Sequence, residues 1–193
     1  MASAHPPLGR KILLWGRGGK SSLARALSEK LQLPRLEMDA IAWLPGWQMR
    51  DRDESISIID HWVEDHSDGW IIDGQHSVAL DETLRRADTV IWLDLPFWTV
   101  YRRIVRRSLK RAWDRQKVCG DNVETWRHLL ASRDSLPYFY VRRLLIGGHW
   151  KRQIAARETL LAESGTHVTL TRLHSARDLD DFYAAQGLSR PPD

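Results

Sequence analysis

Five short runs, KILLW (11–15), RLEM (35–38), WIID (70–73), TVIWLDLP (89–96) and HVTLTRL (167–173), recur along this 193-residue chain with helix-length stretches between them. That alternation constrains the fold more than any other feature. Strands separated by helices close into a parallel sheet through right-handed crossovers, with helices on both faces. KILLW is apolar without interruption, as a strand covered on both sides requires. Pro96 stops the fourth run, and Pro34 separates the first helix from the second run.

Between the runs the period changes from two to about 3.6. Leu23, Leu27 and Leu31 place one apolar stripe on a helix over 21–31, and Ile56, Ile59 and Val63 space another. Pro45-Gly46 in "AWLPGWQMRD" marks a turn. A short polar helix is expected before the fourth strand. A long helix is expected from about Phe97, with Tyr101, Val105 and Leu109 on its buried side. Further helices are expected over about 122–131 and 136–162, interrupted near Gly147-Gly148, and a last one over 178–185. No repeat or internal linker breaks the series. The expected organisation is a disordered tail over 1–9, a single domain over 10–188 and a tail over 189–193.

Composition bounds the function classes. A chain of this length buries roughly 70% of its unfolded surface, enough for one substantial core. With 42% hydrophobic and 28% charged residues it reads as an ordinary soluble globular protein. No apolar run approaches the ~20 residues of a membrane span, so no membrane partner is expected. The first ten residues, MASAHPPLGR, lack the apolar segment of a signal peptide. A single cysteine, Cys119, excludes a disulfide framework and a thiolate metal cluster. Eight scattered histidines form no zinc-binding pair on a helix. A cytoplasmic setting is the expectation.

Ligands of open parallel sheets sit beyond the carboxyl ends of the strands. That rule gathers Gly16 to Ser21, Asp39, Asp73-Gly74 and Asp94 into one crevice. The segment "GRGGKSS" (16–22) follows the first strand and opens the first helix. Glycines there let backbone N–H groups crowd a phosphate, and the helix adds its positive end. Lys20 stands where a lysine reaches β- and γ-phosphates, and Ser21 where a hydroxyl ligates magnesium. Gly16, Arg17, Gly18, Gly19, Lys20, Ser21 and Ser22 are therefore the candidate nucleotide-binding residues. The spacing is short of the full Walker A pattern, whose first glycine would fall at Leu14. A glycine-rich turn with no ligand is the alternative.

Asp39 could orient an acceptor hydroxyl or hold magnesium through water; a cap or turn role stands beside it. Asp73 precedes Gly74, which favours a turn role, and Asp94 reads as a strand-end acceptor. Between Tyr101 and Lys117 there are eight basic residues (Arg102, Arg103, Arg106, Arg107, Lys110, Arg111, Arg115, Lys117) against one acid, Asp114. Arg103, Arg107 and Arg111 form one helical row that could clamp phosphate oxygens. Arg102, Arg106 and Lys110 form a second row that reads as solvated surface. Arg133, in "SRDS", could join from a loop. Trp43, Trp47, Trp92 and Trp98 read as core or pocket wall.

The segments "LPRLEMDAIAWLPGW", "GWIIDGQHS", "ADTVIWLDLP", "RIVRRSLKR" and "SRDSL", in this order over about 10–185, together resemble the adenylate kinase-related P-loop proteins known as topology modulation proteins. The resemblance implies a three-layer α/β/α P-loop NTPase fold with a five-stranded parallel sheet and a helical lid over about 106–150. It implies ATP and magnesium at Lys20 and Ser21, the acceptor at Asp39, and Arg103, Arg107 and Arg133 as lid-side arginines. The sequence departs from that family in a phosphate loop about two residues shorter, and in Phe97 where an arginine often follows the strand-four proline. The implied activity is an ATP-dependent phosphotransferase acting on a nucleotide or other small-molecule phosphate acceptor, with homodimer formation left open. A pseudo-kinase that binds nucleotide or phosphate weakly is the alternative, and a nucleic-acid binder using 101–117 ranks last.

Overall fold

The computed structural model describes residues 6–74, 80–119, 122–131, 135, 138, 141, 155–156, 158–159, 161–162 and 168–189. Five strands, β1 (Lys11–Arg17), β2 (Arg35–Glu37), β5 (Trp70–Asp73), β6 (Thr89–Asp94) and β9 (Thr169–Leu173), form one sheet in the order β2-β5-β1-β6-β9. Every pairing in it is parallel. Two small antiparallel hairpins stand apart, β3 (Trp43–Leu44) with β4 (Gln48–Met49), and β7 (Lys117–Val118) with β8 (Asn122–Val123).

Successive side chains of a strand leave opposite faces, so β1 feeds two cores. Ile12 and Leu14 pack with Leu23 and Leu27 of α1 (Lys20–Leu31), Val100 and Ile104 of α5 (Phe97–Asp114), and Leu179 and Phe182 of α7 (Ala176–Ala185). Leu13 and Trp15 pack with Ile59 and Val63 of α3 (Arg52–Asp65) and Leu84 of α4 (Leu80–Arg86). The result is a three-layer α/β/α fold. Each fully buried leucine contributes about 2 kcal/mol by area, which is why the apolar runs dominate the sequence signal.

The central strand sets the site. β5 lies on one side of β1 and β6 on the other, so the chain switches direction around β1. Open α/β sheets place ligands at the carboxyl end of such a switch point. Beyond β2 the backbone enters a short helix, α2 (Met38–Ala42), rather than continuing as strand to residue 38. The Pro45-Gly46 turn closes the β3–β4 hairpin, with Gly46 and Trp47 both at positive φ.

Two expected helices differ. Residues 122–123 are strand β8, and the helix expected from 122 begins only at α6 (Trp126–Ala131). Asn122 explains the difference: its buried amide accepts from Trp47 N–H at 2.9 Å and donates to the carbonyls of Leu44 and Cys119, both at 3.0 Å. Those bonds staple the two hairpins together and hold the chain out of helix.

α5 is turned from the expected orientation. It buries Val100, Ile104, Ser108 and Ala112, while Tyr101 and Val105 are half-buried and Leu109 is exposed. Two anchors fix its rotation. Val100 packs against the backbone of the β1–α1 connector at Gly18, where an added Cβ would sit 3.1 Å from its Cγ2. Arg103 Nη1 donates to the Gly18 carbonyl at 2.9 Å. Of the lid expected over 106–150, the second half of α5, the β7–β8 hairpin and α6 are described; most of the helix expected over 136–162 lies outside the described residues.

Candidate functional site

The strand–loop–helix segment is shorter than a full Walker loop, and its geometry shows how. β1 stays in register with β6 as far as Gly16↔Leu93 and Arg17↔Asp94, so only Gly18 and Gly19 connect strand to helix. Gly16 is required there by contact: a Cβ would lie 1.9 Å from the Leu93 carbonyl oxygen. Gly16, Gly18 and Gly19 have φ of 91°, 82° and 124°, conformations that side-chain-bearing residues rarely adopt.

α1 then begins at Lys20, one residue earlier than its expected start. Its N-cap, Gly19, offers no side chain to cap the helix, and no acid lies in the first turn. Helix N-terminal amides lacking a side-chain cap, with the positive end of the dipole, favour an anion. Ser21 and Ser22 are exposed at this terminus. Arg17 is the last residue of β1, paired with Asp94 of β6, and is half-buried.

Lys20 points to the neighbouring strand. Its Nζ lies 3.6 Å from Oδ1 of Asp73, the last residue of β5, whose side chain is only 4% exposed. Arg35 of β2 approaches the other oxygen of Asp73 at 4.0 Å and pairs with Glu37. A buried carboxylate is stable only with such partners. Asp73 is therefore not simply a turn residue. The signal that could have found it is the strand order, which puts β5 beside β1; nothing in "IIDGQHS" states that order. Gly74 matters through contact, since a Cβ there would lie 2.7 Å from Met38 Cβ. That close approach brings the start of α2, and with it Asp39, over the end of β5.

Asp39 is exposed on α2. It acts on the same group as Arg107, Arg111 and Glu124: the Cys119 thiol is pushed up to about 11, first by burial and then by the charges of Asp39 and Glu124, with Arg111 and Arg107 opposing. Arg111 pairs with Glu124 at 3.5 Å. The arginine row thus spans two regions. Arg103 donates to the Gly18 carbonyl, while Arg107 and Arg111 act, as Asp39 does, on the charge environment of Cys119. Arg133 lies outside the described residues.

Asp94 is a structural acceptor. Arg172 of β9 donates to its Oδ2 from Nε at 3.0 Å and from Nη2 at 2.7 Å, and stacks over the Trp92 ring at 4.0 Å. Trp92 is core, as is Trp15, the two meeting edge to face. Trp43 and Trp47 are half-buried and meet edge to face across the β3–β4 hairpin. Trp98 is exposed rather than core or pocket wall.

These features define a three-layer α/β/α protein with a lysine-headed glycine connector at the switch point of its sheet. No protein-family model matches the chain, and no curated protein matches it.

Proposed function

We propose that the protein is an ATP-dependent phosphotransferase of the P-loop kinase type. The observation that carries this reading is Lys20, set after two glycines at an N-terminus with no side-chain cap and 3.6 Å from buried Asp73 on the adjoining strand. The residues present fit one phosphate group with its magnesium better than a fully wrapped triphosphate. Positive-φ glycines and an N-terminus lacking a side-chain cap suit an anion, but a two-residue connector presents few amides. Bound ATP with magnesium would supply the transferable phosphoryl group.

In this reading Lys20 leaves Asp73 to meet the phosphate oxygens, and Arg35 keeps Asp73 compensated. Ser21 and Asp73 stand on the magnesium side. Asp39 orients the acceptor hydroxyl, and Arg107 and Arg111, which act on the same Cys119 environment as Asp39, neutralise an anionic acceptor. Arg103, already held at the loop, adds charge where it develops. Catalysis is then positioning and electrostatics rather than covalent chemistry.

The test is ADP release from ATP and magnesium across a panel of nucleosides and nucleoside monophosphates. Acceptor-dependent ADP release is expected, falling on the order of 100-fold in Lys20→Ala. Equal release by that variant would remove Lys20 from the chemistry. The short connector favours a second reading, in which the loop holds nucleotide or phosphate without turnover. Its signature is saturable binding with no ADP formed for any acceptor.

A further inference from the structure

α5 carries two apolar stripes, and the fold buries only one. Val100, Ile104, Ser108 and Ala112 face the core. On the outer side Trp98, Leu109 and Trp113 are 61%, 42% and 77% exposed, and half-buried Val105 continues their line. Arg102, Arg106 and Lys110, each four residues from the next and all exposed, run beside this stripe. An open groove of about 360 Å³ lies between them, lined by Tyr101, Arg102, Val105, Arg106 and Leu109. α6, packed on α5, exposes Trp126 and Leu130 as well. Clustered apolar exposure of this kind marks an interaction surface.

Charge decides the occupant. From Trp98 to Trp113 the helix carries no acid. A two-fold contact between copies through α5 would lay the cation row against itself, which opposes self-association. Nucleic acid would satisfy the cations but offers Val105 and Leu109 nothing apolar. A straight stripe of about 22 Å, with a tryptophan near each end and cations along one edge, matches an interfacial helix.

We infer that the outer face of α5 binds the surface of an anionic lipid bilayer. Trp98, Val105, Leu109 and Trp113 enter the boundary between headgroups and acyl chains. Arg102, Arg106 and Lys110 pair with lipid phosphates, and the indole N–H groups stay at the polar edge. Arg103, Arg107 and Arg111 lie on another side of the helix, so attachment leaves the phosphate loop open. The proposal is independent of the phosphotransferase reading.

The test is co-sedimentation of the full chain with vesicles of equal parts phosphatidylcholine and phosphatidylglycerol, and with phosphatidylcholine alone. Binding is expected to the anionic vesicles at about 0.1 M salt, weakening as salt rises. Leu109→Ser with Trp113→Ser should weaken it at least tenfold, roughly the loss of two interfacial anchors. Arg102→Gln, Arg106→Gln and Lys110→Gln together should weaken it about a hundredfold, roughly fivefold for each basic residue. The charge variant alters only exposed side chains, so it keeps the test decisive should the apolar variant unfold. Absence of binding to anionic vesicles overturns the proposal, as does equal binding by the charge variant. An oligomer that the apolar variant dissociates, with no vesicle binding by the parent chain, assigns the face to self-association and overturns it too.

Discussion

At the scale of residues, Asp73 and Lys20 carry the most consequence. Asp73→Asn removes the carboxylate that pairs with Lys20 and that the proposed mechanism puts on the magnesium side. It should leave magnesium-free nucleotide binding intact or tighter, while turnover with magnesium falls on the order of 100-fold. Calorimetry with and without magnesium separates the two effects. Cys119 gives an independent check on the surroundings of Asp39. Its thiol is pushed up to about 11 from an ordinary 9.0, chiefly by burial. At neutral pH its thiolate is then about a hundredfold scarcer than in the unfolded chain, one unit being tenfold. Alkylation should be correspondingly slow in the folded protein and fast in denaturant. Because the folded state favours the protonated thiol, this contribution to stability is intact below about 9 and is lost as pH rises toward 11. An aspartate before a glycine signals a turn, and that local signal masks the role of Asp73. Its burial beside Lys20 depends on which strands become neighbours, which local sequence does not record.

Among the elements, strands were the most legible. The apolar cores of KILLW, WIID and TVIWLDLP are unbroken because both faces of the sheet are covered, and they lie in β1, β5 and β6. Helix rotation was not legible in α5. Tyr101, Val105 and Leu109 are the more apolar stripe, but Val100 against Gly18 and Arg103 on the Gly18 carbonyl override that pattern. The β7–β8 hairpin was missed because it depends on Asn122 reaching Trp47 and Leu44 more than seventy residues away. Caps show the contrast between α1 and α7. In α7, Ser175 accepts from Asp178 N–H while the Asp178 carboxylate accepts from Ser175 N–H, a reciprocal capping box. Ser175→Ala should cost about 1 kcal/mol in chemical denaturation. Asp178 is held below the usual carboxylate range, first by the Ser175 hydroxyl and then by the His174 N–H. Its contribution is therefore present at neutral pH and fades as pH falls through that range. α1 has no side-chain cap at its N-terminus. Gly16→Ala should destabilise by about 2–4 kcal/mol, the usual range for a forced backbone clash, since its Cβ would strike the Leu93 carbonyl.

For the whole molecule, the fold and the activity rest on different evidence. The five-stranded sheet follows from five strand-forming runs separated by helices. The site needs more: the order β2-β5-β1 must bring Asp73 to Lys20, and the close contact at Gly74 must bring Asp39 over the end of β5. The sequence showed that these residues lie at strand ends; the sheet order showed which of them meet. The most direct test of the central claim is calorimetric titration of ATP with magnesium into the parent chain and Lys20→Ala. The account predicts saturable binding at one site in the parent and a loss of at least tenfold in affinity in the variant, the scale of one charge-assisted contact. Binding of equal strength in both proteins would contradict it.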